Sequence, residues 1–513
     1  MSADWPFTRR GLLGTGIASA GMLALPGGKS DALAVPKRGG SIRVAMAASS
    51  TNDAIDPAKG AIATDYMRHF CLYSGLTRME TDLKVKLDLA ERLESADRIT
   101  WHIALRKGVQ FHDGAELTSA DVVHSLRRHD DPKIGSKVAG IAEQFAEVRP
   151  DGRYGVVLRL TGANADIPAL LSQAHFLIVR EGEAKPTGNG TGPYRLADFK
   201  PSVRTVVTRN PNYYVPGKPY LERIEIIAIP DEVSRVNALL AGDVHAAIAI
   251  SPLSTRRIEP RPGYSVMTTG SGLFTDLVMQ LDRLPTGNPD FVKAIQYAID
   301  RPLIKRALYR GYATIANDHP IPPSHRYFNP DIPQRTLDLD RARWHVRRSG
   351  LTGVRLPVYC STAAPGSVDM ASVLQEYASR VGLELAINRM PADGYYATHW
   401  MKHPMTFGNT SPRPTADMLF TQFFRSDASW NESKWNNPRF DQLLIEARGE
   451  ADESRRKELY GEMQRLIHDH CGLAIPVFIN MLDAHDSRLK GMTALPFGGM
   501  MGYRFAEYAW WDA

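Results

Sequence analysis

The alternation of apolar and polar positions between Ile99 and Arg106 is the clearest local signal in the chain. Ile99, Trp101, Ile103 and Leu105 fall on one side and Thr100, His102, Ala104 and Arg106 on the other, the period of a strand with one buried face. Lys107-Gly108 and Asp113-Gly114 interrupt the run, and Thr118-Ser119-Ala120-Asp121 has capping-box spacing with aspartate in place of glutamate. A helix is therefore expected from about Ser119, with Val122, Val123 and Leu126 as its packing stripe. The same reasoning predicts strands at 40–46, 154–160, 224–229 and 243–248, and a helix over 231–241 stopped by Gly242. Asn288-Pro289 and Asp300-Arg301-Pro302 open two more helices, the second ending at Gly311. A β-α-β unit follows at 354–359, 368–381 and 383–388, then helices at 438–448 and 453–471 and an apolar strand at 474–478. Strands that alternate with helices in this way indicate α/β lobes.

Composition narrows the class. The chain has 513 residues, 43% hydrophobic and 23% charged, which is enough for several cores and argues against disorder. Its net charge of +6 comes from 62 basic and 56 acidic residues without a basic block, so nucleic acid is not an expected partner. Arg9-Arg10 precede a weakly apolar, glycine-rich stretch, and Ala32-Leu33-Ala34 offers a cleavage site, the pattern of a twin-arginine export signal over 1–34. The apolar part, 11–26, is shorter than the ~20 residues a membrane span needs, so a periplasmic mature chain is expected. Cys71, Cys360 and Cys471 leave at least one thiol unpaired, and three buried free cysteines are the simplest expectation.

Candidate chemistry concentrates late in the chain. Between Tyr395 and Trp435 there are three tryptophans and little periodicity, which suggests a long irregular functional segment. Trp400, Trp430, Trp435 and Phe274 could line a pocket, although such residues also build cores. Ser49 and Ser50, in the polar loop after the first strand, sit where open α/β sheets make ligand contacts. His399 with His403, and His468 with His470 and Cys471, lack the ligand spacing of a metal site, so neither metal nor cofactor is expected. The run GNGTGPYRL at 188–196 has no Gly-Lys-Ser/Thr and reads as a turn, and no Gly-x-Ser-x-Gly elbow occurs.

The stretch from Thr100-Trp101 through Leu105-Arg106-Lys107-Gly108-Val109 to Phe111-His112-Asp113-Gly114, with Thr118, Asp121 and Val122 behind it, resembles the signature of the family 5 extracellular solute-binding proteins. These are the peptide and nickel receptors of ATP-driven importers. Gly190-Thr191-Gly192-Pro193-Tyr194 and Asn210-Pro211-Asn212-Tyr213-Tyr214 fit the same pattern.

The resemblance implies an α/β, periplasmic-binding-protein-like (type II) fold of two lobes with a hinge and an extra α+β subdomain. On that basis 35–78, 188–268 and 483–513 form lobe I, 79–187 the extra subdomain (lobe II), and 269–482 lobe III. The expected protein is a monomeric receptor, not an enzyme, that passes a short peptide or peptide-like solute to the permease subunits of an ABC importer. A receptor for a metal chelate such as nickel, a receptor for an opine or other amino-acid conjugate, and, more remotely, an exported hydrolase are the alternatives. In peptide-binding members an aspartate in a proline-rich segment holds the ligand's α-ammonium, and Asp417 matches it best; a helix cap is the structural alternative. Here Arg413 stands four positions earlier, where acidic residues are usual. An arginine fork recognises a carboxylate, which points to a conjugate with an extra acid group, or else Arg413 belongs to a structural ion pair. Arg389 is a second carboxylate candidate.

Overall fold

A computed structural model describes residues 35–512 apart from Ala184; the expected export signal at 1–34 lies outside the described residues. The strand Ser41–Met46, whose Ile42, Val44, Ala45 and Met46 are all buried, belongs to a 12-stranded sheet. It pairs in parallel with Arg223–Ala228 and Ala246–Ala247. Two antiparallel strands, Arg204–Arg209 and Tyr194–Lys200, complete that side. On the other side the long strands Val477–Asp486 and Tyr264–Met279 carry the sheet across to Met405–Thr410, Arg355–Cys360 and Glu384–Arg389.

The long antiparallel pair changes register midway. Thr269 stands opposite Met481 but Leu273 stands opposite Ile479, so Gly270, Ser271 and Gly272 form a bulge. Ser271 fixes it, its Oγ donating to the Ile479 carbonyl at 2.8 Å and accepting from the Leu273 amide at 3.0 Å. Pairing with Ala246–Ala247 lies on one side of this bulge and pairing with Met405–Thr410 on the other.

The alternating stretch forms the strand Thr100–Leu105 of a separate four-stranded antiparallel sheet with Ala90–Glu94, Gly155–Leu160 and Phe145–Pro150. Trp101, Ile103 and Leu105 are buried and His102 is exposed, as the period requires. Each of these apolar side chains contributes about 1.5–3 kcal/mol by leaving water. The helix Ser119–Arg127 begins where Asp121 accepts from the Thr118 amide at 2.8 Å. Together they enclose a core containing Phe111, Phe145 and Phe176. His112 faces the glycine-rich loop, with its ring nitrogens 3.1 Å from the Gly188 and Gly192 carbonyls. That loop needs its glycines, since a Cβ at Gly190 would lie 2.1 Å from the Leu72 carbonyl oxygen.

Three expectations change. The strand expected at 243–248 is only Ala246–Ala247. The strand expected at 474–478 is broken at Ile475-Pro476 into Leu473–Ala474 and Val477–Asp486, and Asp483, though buried, is kept within the second by accepting from the amides of Ala249 and Met500. The irregular stretch from Tyr395 contains the strand Met405–Thr410 and the helix Ala416–Phe423. The strand is buried along nearly its whole length, so no alternation marks it in the sequence.

All three cysteines are buried and free. Residues from the end of the chain, among them Leu489, Met500 and Phe505, pack into the core built on Ile42, Val44 and Ile226.

Candidate functional site

A cavity of about 720 Å³ opens beside the bulge. Leu273 and Met481, from the two crossing strands, line it. The helix Ala63–Leu72 contributes Tyr66 and Phe70, the four-stranded subdomain contributes Lys137 and His175, and residues 411–430 and 495–504 supply much of the remainder. Several parts of the chain that are far apart in sequence thus share one wall.

The helix Ala63–Leu72 shows why Tyr66 and Phe70 face this space. Its polar residues Thr64, Asp65, Arg68 and His69 are buried, while Tyr66 and Phe70, one turn apart, remain half-buried. Asp65 holds the preceding loop through the amides of Ala54 at 3.0 Å and Ala61 at 3.1 Å, and pairs with Arg68 at 2.9 Å. Tyr66 in turn packs edge-on to His175, with ring centroids 5.4 Å apart, and lies 5.9 Å from the Tyr503 ring. Burial raises the Tyr66 hydroxyl pKa, so it remains a hydrogen-bond donor at neutral pH. His175 lies 3.0 Å from the Gly60 carbonyl, which can only accept, so Nε2 carries the proton. Burial also lowers the His175 pKa, which keeps the ring neutral near pH 7.

Arg413 faces Tyr66 across the cavity. Its Nε donates to Gln422 Oε1 at 2.7 Å, one terminal nitrogen donates to the Ser411 carbonyl at 2.9 Å, and the guanidinium lies 5.1 Å over the Phe423 ring. No carboxylate among the described residues pairs with it. These contacts hold the fork in place and leave its charge uncompensated. Trp430, which packs against Phe423 at 5.4 Å, lies on the same wall.

The other sequence candidates lie elsewhere. Asp417 is buried and absent from the cavity wall; its Oδ1 accepts from Arg448 Nε at 2.9 Å. Thr415, not Asp417, caps the helix Ala416–Phe423, accepting from the Met418 amide. Placing Asp417 in the first helical turn directs it away from the cavity, and Met418 faces the space instead. Phe274 is a core residue packed 6.1 Å from the Phe478 ring, and Trp435 is core beside Phe440. Arg389 is exposed at the end of an edge strand. Ser50 belongs to a tight turn in which its amide donates to Asp53 at 3.0 Å, and neither it nor Ser49 is on the cavity wall.

Trp400 marks a different feature. Its Nε1 donates to Glu432 Oε1 at 3.2 Å. Glu432 and Asp276 converge over Gly408, where a Cβ would lie 2.5 Å from Glu432 Oε2 and 2.9 Å from Asp276 Oδ1. Burial raises both carboxyl pKa values, that of Asp276 to about 6. His399 and His403 stack on Tyr359 and lie 3.2 Å apart at their nearest nitrogens. Among the described residues no group of three or more His, Cys, Asp or Glu side chains could hold a metal ion.

The sequence reading missed Tyr66, Lys137, His175 and Tyr503. Only the helix Ala63–Leu72 carried a signal for any of them, in its reversed pattern of buried polar and half-open aromatic positions.

The cavity lies beside the two long strands that join the two parts of the 12-stranded sheet. The model of the bacterial extracellular solute-binding proteins, family 5, matches residues 84–432, more than half of the chain, and the chain belongs to that family. It is 24% identical over 514 aligned residues to the glutathione-binding protein GsiB of Escherichia coli (strain K12), covering 96% of this chain and 97% of that protein. The fold matches the periplasmic binding protein DppA of Helicobacter pylori in complex with the peptide STSA, with TM-score 0.77 and 22% identity over 93% of this chain and 99% of that one. It also matches the binding protein AgaA of A. tumefacien R10 in complex with agropinic acid, with TM-score 0.75 and 20% identity over 92% of this chain and 99% of that one. The fold is therefore the two-lobed type II fold of periplasmic binding proteins.

Proposed function

We propose that this protein captures a short peptide or peptide-like amphiphilic solute in the 720 Å³ cavity and delivers it to the permease subunits of an ABC importer. The observation that carries this reading is the cavity itself, a space large enough for a small solute whose wall draws on both sides of the strand crossing. A ligand that touches both sides favours the closed arrangement, and the importer can then distinguish loaded from empty receptor. The bulge at Gly270, Ser271 and Gly272 is the natural place for the lobes to bend. Relatives named for glutathione, a peptide and agropinic acid support a peptide or amino-acid conjugate as the class of solute. The same family membership supports a transport role without catalysis; action as a monomer, and a periplasmic location reached through the twin-arginine pattern at 1–34, complete the proposal.

Thermal unfolding of refolded, ligand-stripped protein tests this against dipeptides, tripeptides, opine-like conjugates, polyamines and nickel chelates. A solute present at 100 times its dissociation constant adds about 2.7 kcal/mol and raises the midpoint. A rise with peptides or conjugates is expected. A rise confined to nickel chelates would replace this reading by that of a metal-chelate receptor, and turnover of a peptide conjugate by purified protein would make the protein a hydrolase.

A further inference from the structure

We infer that the cavity selects solutes of net negative charge, so that the captured peptide or conjugate is an acidic one. This rests on the receptor reading above and narrows it. The wall contains Lys137, Arg413 and Arg504 and, among the described residues, no aspartate or glutamate. Arg504 is balanced from behind, with Asp88 at 3.7 Å and Glu507 at 3.9 Å. Arg413 has only neutral partners, and no ion pair engages Lys137, which is exposed at its rim position.

Carboxylates behind the wall are already engaged: Asp483 accepts from the Ala249 and Met500 amides, and three more are ion-paired. Asp65 pairs with Arg68 at 2.9 Å, Asp417 with Arg448 at 2.9 Å, and Asp166 with Arg456 at 2.8 Å. A ligand ammonium entering the space therefore meets cations and neutral donors, with no free carboxylate to receive it. A ligand carboxylate meets the Arg413 fork, positioned by Gln422 and the Ser411 carbonyl and flanked by the Tyr66 hydroxyl. Removing water from around that pair strengthens it, and a pre-positioned fork loses little entropy on binding. The second uncompensated cation, Lys137, extends the preference from one acid group to net negative charge.

Calorimetric titration of ligand-stripped protein with three tripeptides that share a central leucine separates the possibilities. The probes are Glu-Leu-Glu, Ala-Leu-Ala and Lys-Leu-Lys. Glu-Leu-Glu is expected to bind at least about tenfold more tightly than Ala-Leu-Ala, with Lys-Leu-Lys weakest. Its affinity should fall several-fold when salt is raised from roughly 0.05 to 0.5 M, because part of the attraction is screened. Arg413→Gln should weaken Glu-Leu-Glu by about thirtyfold and reduce its advantage over Ala-Leu-Ala. Lys137→Gln, an exposed change that leaves folding intact, should weaken it by about threefold. Equal or tighter binding of Ala-Leu-Ala or Lys-Leu-Lys overturns the charge selection and leaves the peptide receptor standing. Failure of all three tripeptides to bind overturns the peptide receptor itself, and the charge selection with it.

Discussion

The cavity wall and the layer beneath it treat charge in opposite ways. At the wall, Arg413 and Lys137 are cations without anions; under Gly408, Asp276 and Glu432 are anions without cations. A ligand can reach both, and because burial lowers the Arg413 pKa an incoming anion offsets the cost of holding that charge. The second pair is buried, and no donor from any other described residue reaches either Asp276 oxygen or Glu432 Oε2. Two ionised carboxylates cannot share such a place, so a proton stays between them at neutral pH. Asp318 shows the third solution. It is fully buried, yet Arg301 at 2.6 Å and Arg335 both engage it, and the Ile475 amide donates to its other oxygen at 2.9 Å. Burial alone would raise its pKa, but the two arginines outweigh it and hold the carboxyl below the usual range. The buried charge at Asp318 is thus matched by opposite charge and that at Asp276 and Glu432 is reduced by a proton, whereas Arg413 at the cavity has neither.

This contrast is sharpest at Asp318. Arg301→Ala leaves a buried carboxylate half-matched and should cost about 3 kcal/mol in urea unfolding, with ligand affinity unchanged. A loss below about 1 kcal/mol would mean that Arg335 alone balances the charge.

The carboxyl pair should give a pH signature of intermediate size. The folded pKa of Asp276, about 6, lies above the ordinary aspartate value, so its contribution to stability is fully present below that ordinary value and lost as pH rises through about 6. Asp276→Asn removes this loss. The variant should gain on the order of 2 kcal/mol over the parent at pH 8 and little at pH 4, read from urea midpoints across that range. Parallel pH profiles for the two proteins would show that no proton is shared.

The smallest expected effect concerns Asp417. Its pairing with Arg448 is partly buried, so Asp417→Asn should lower stability by about 1–2 kcal/mol. Solute affinity should change by less than about twofold, because the residue is absent from the wall. A hundredfold loss of binding without a loss of stability would return Asp417 to the ligand.

Local chemistry was legible wherever a single segment decides its own structure. The alternation at Trp101, Ile103 and Leu105, the box at Thr118 and Asp121, the cap at Asn288 before Pro289 and the stop at Gly242 all appear as read. So does the signature that led to the family. The strand Met405–Thr410 was not legible, because a strand buried on both faces has no alternation to show.

The site divided in the same way. Arg413 could be named from its residue type and its place in an unusual segment, but its lack of a partner depends on which carboxylates fold near it. Asp417 stands four residues after it, inside the helix that Arg413 precedes, and the sequence could not say that Arg448, 31 residues on, would take its charge. Tyr66, Lys137 and His175 become neighbours of the cavity only when the first lobe, the four-stranded subdomain and the last part of the chain close around the strand crossing. The sequence by itself determined the elements whose own residues carry a period or a cap, the family signature, and an arginine at 413. The tertiary structure decided which charges remain open, because charge balance depends on distance in space and residue order does not encode that distance.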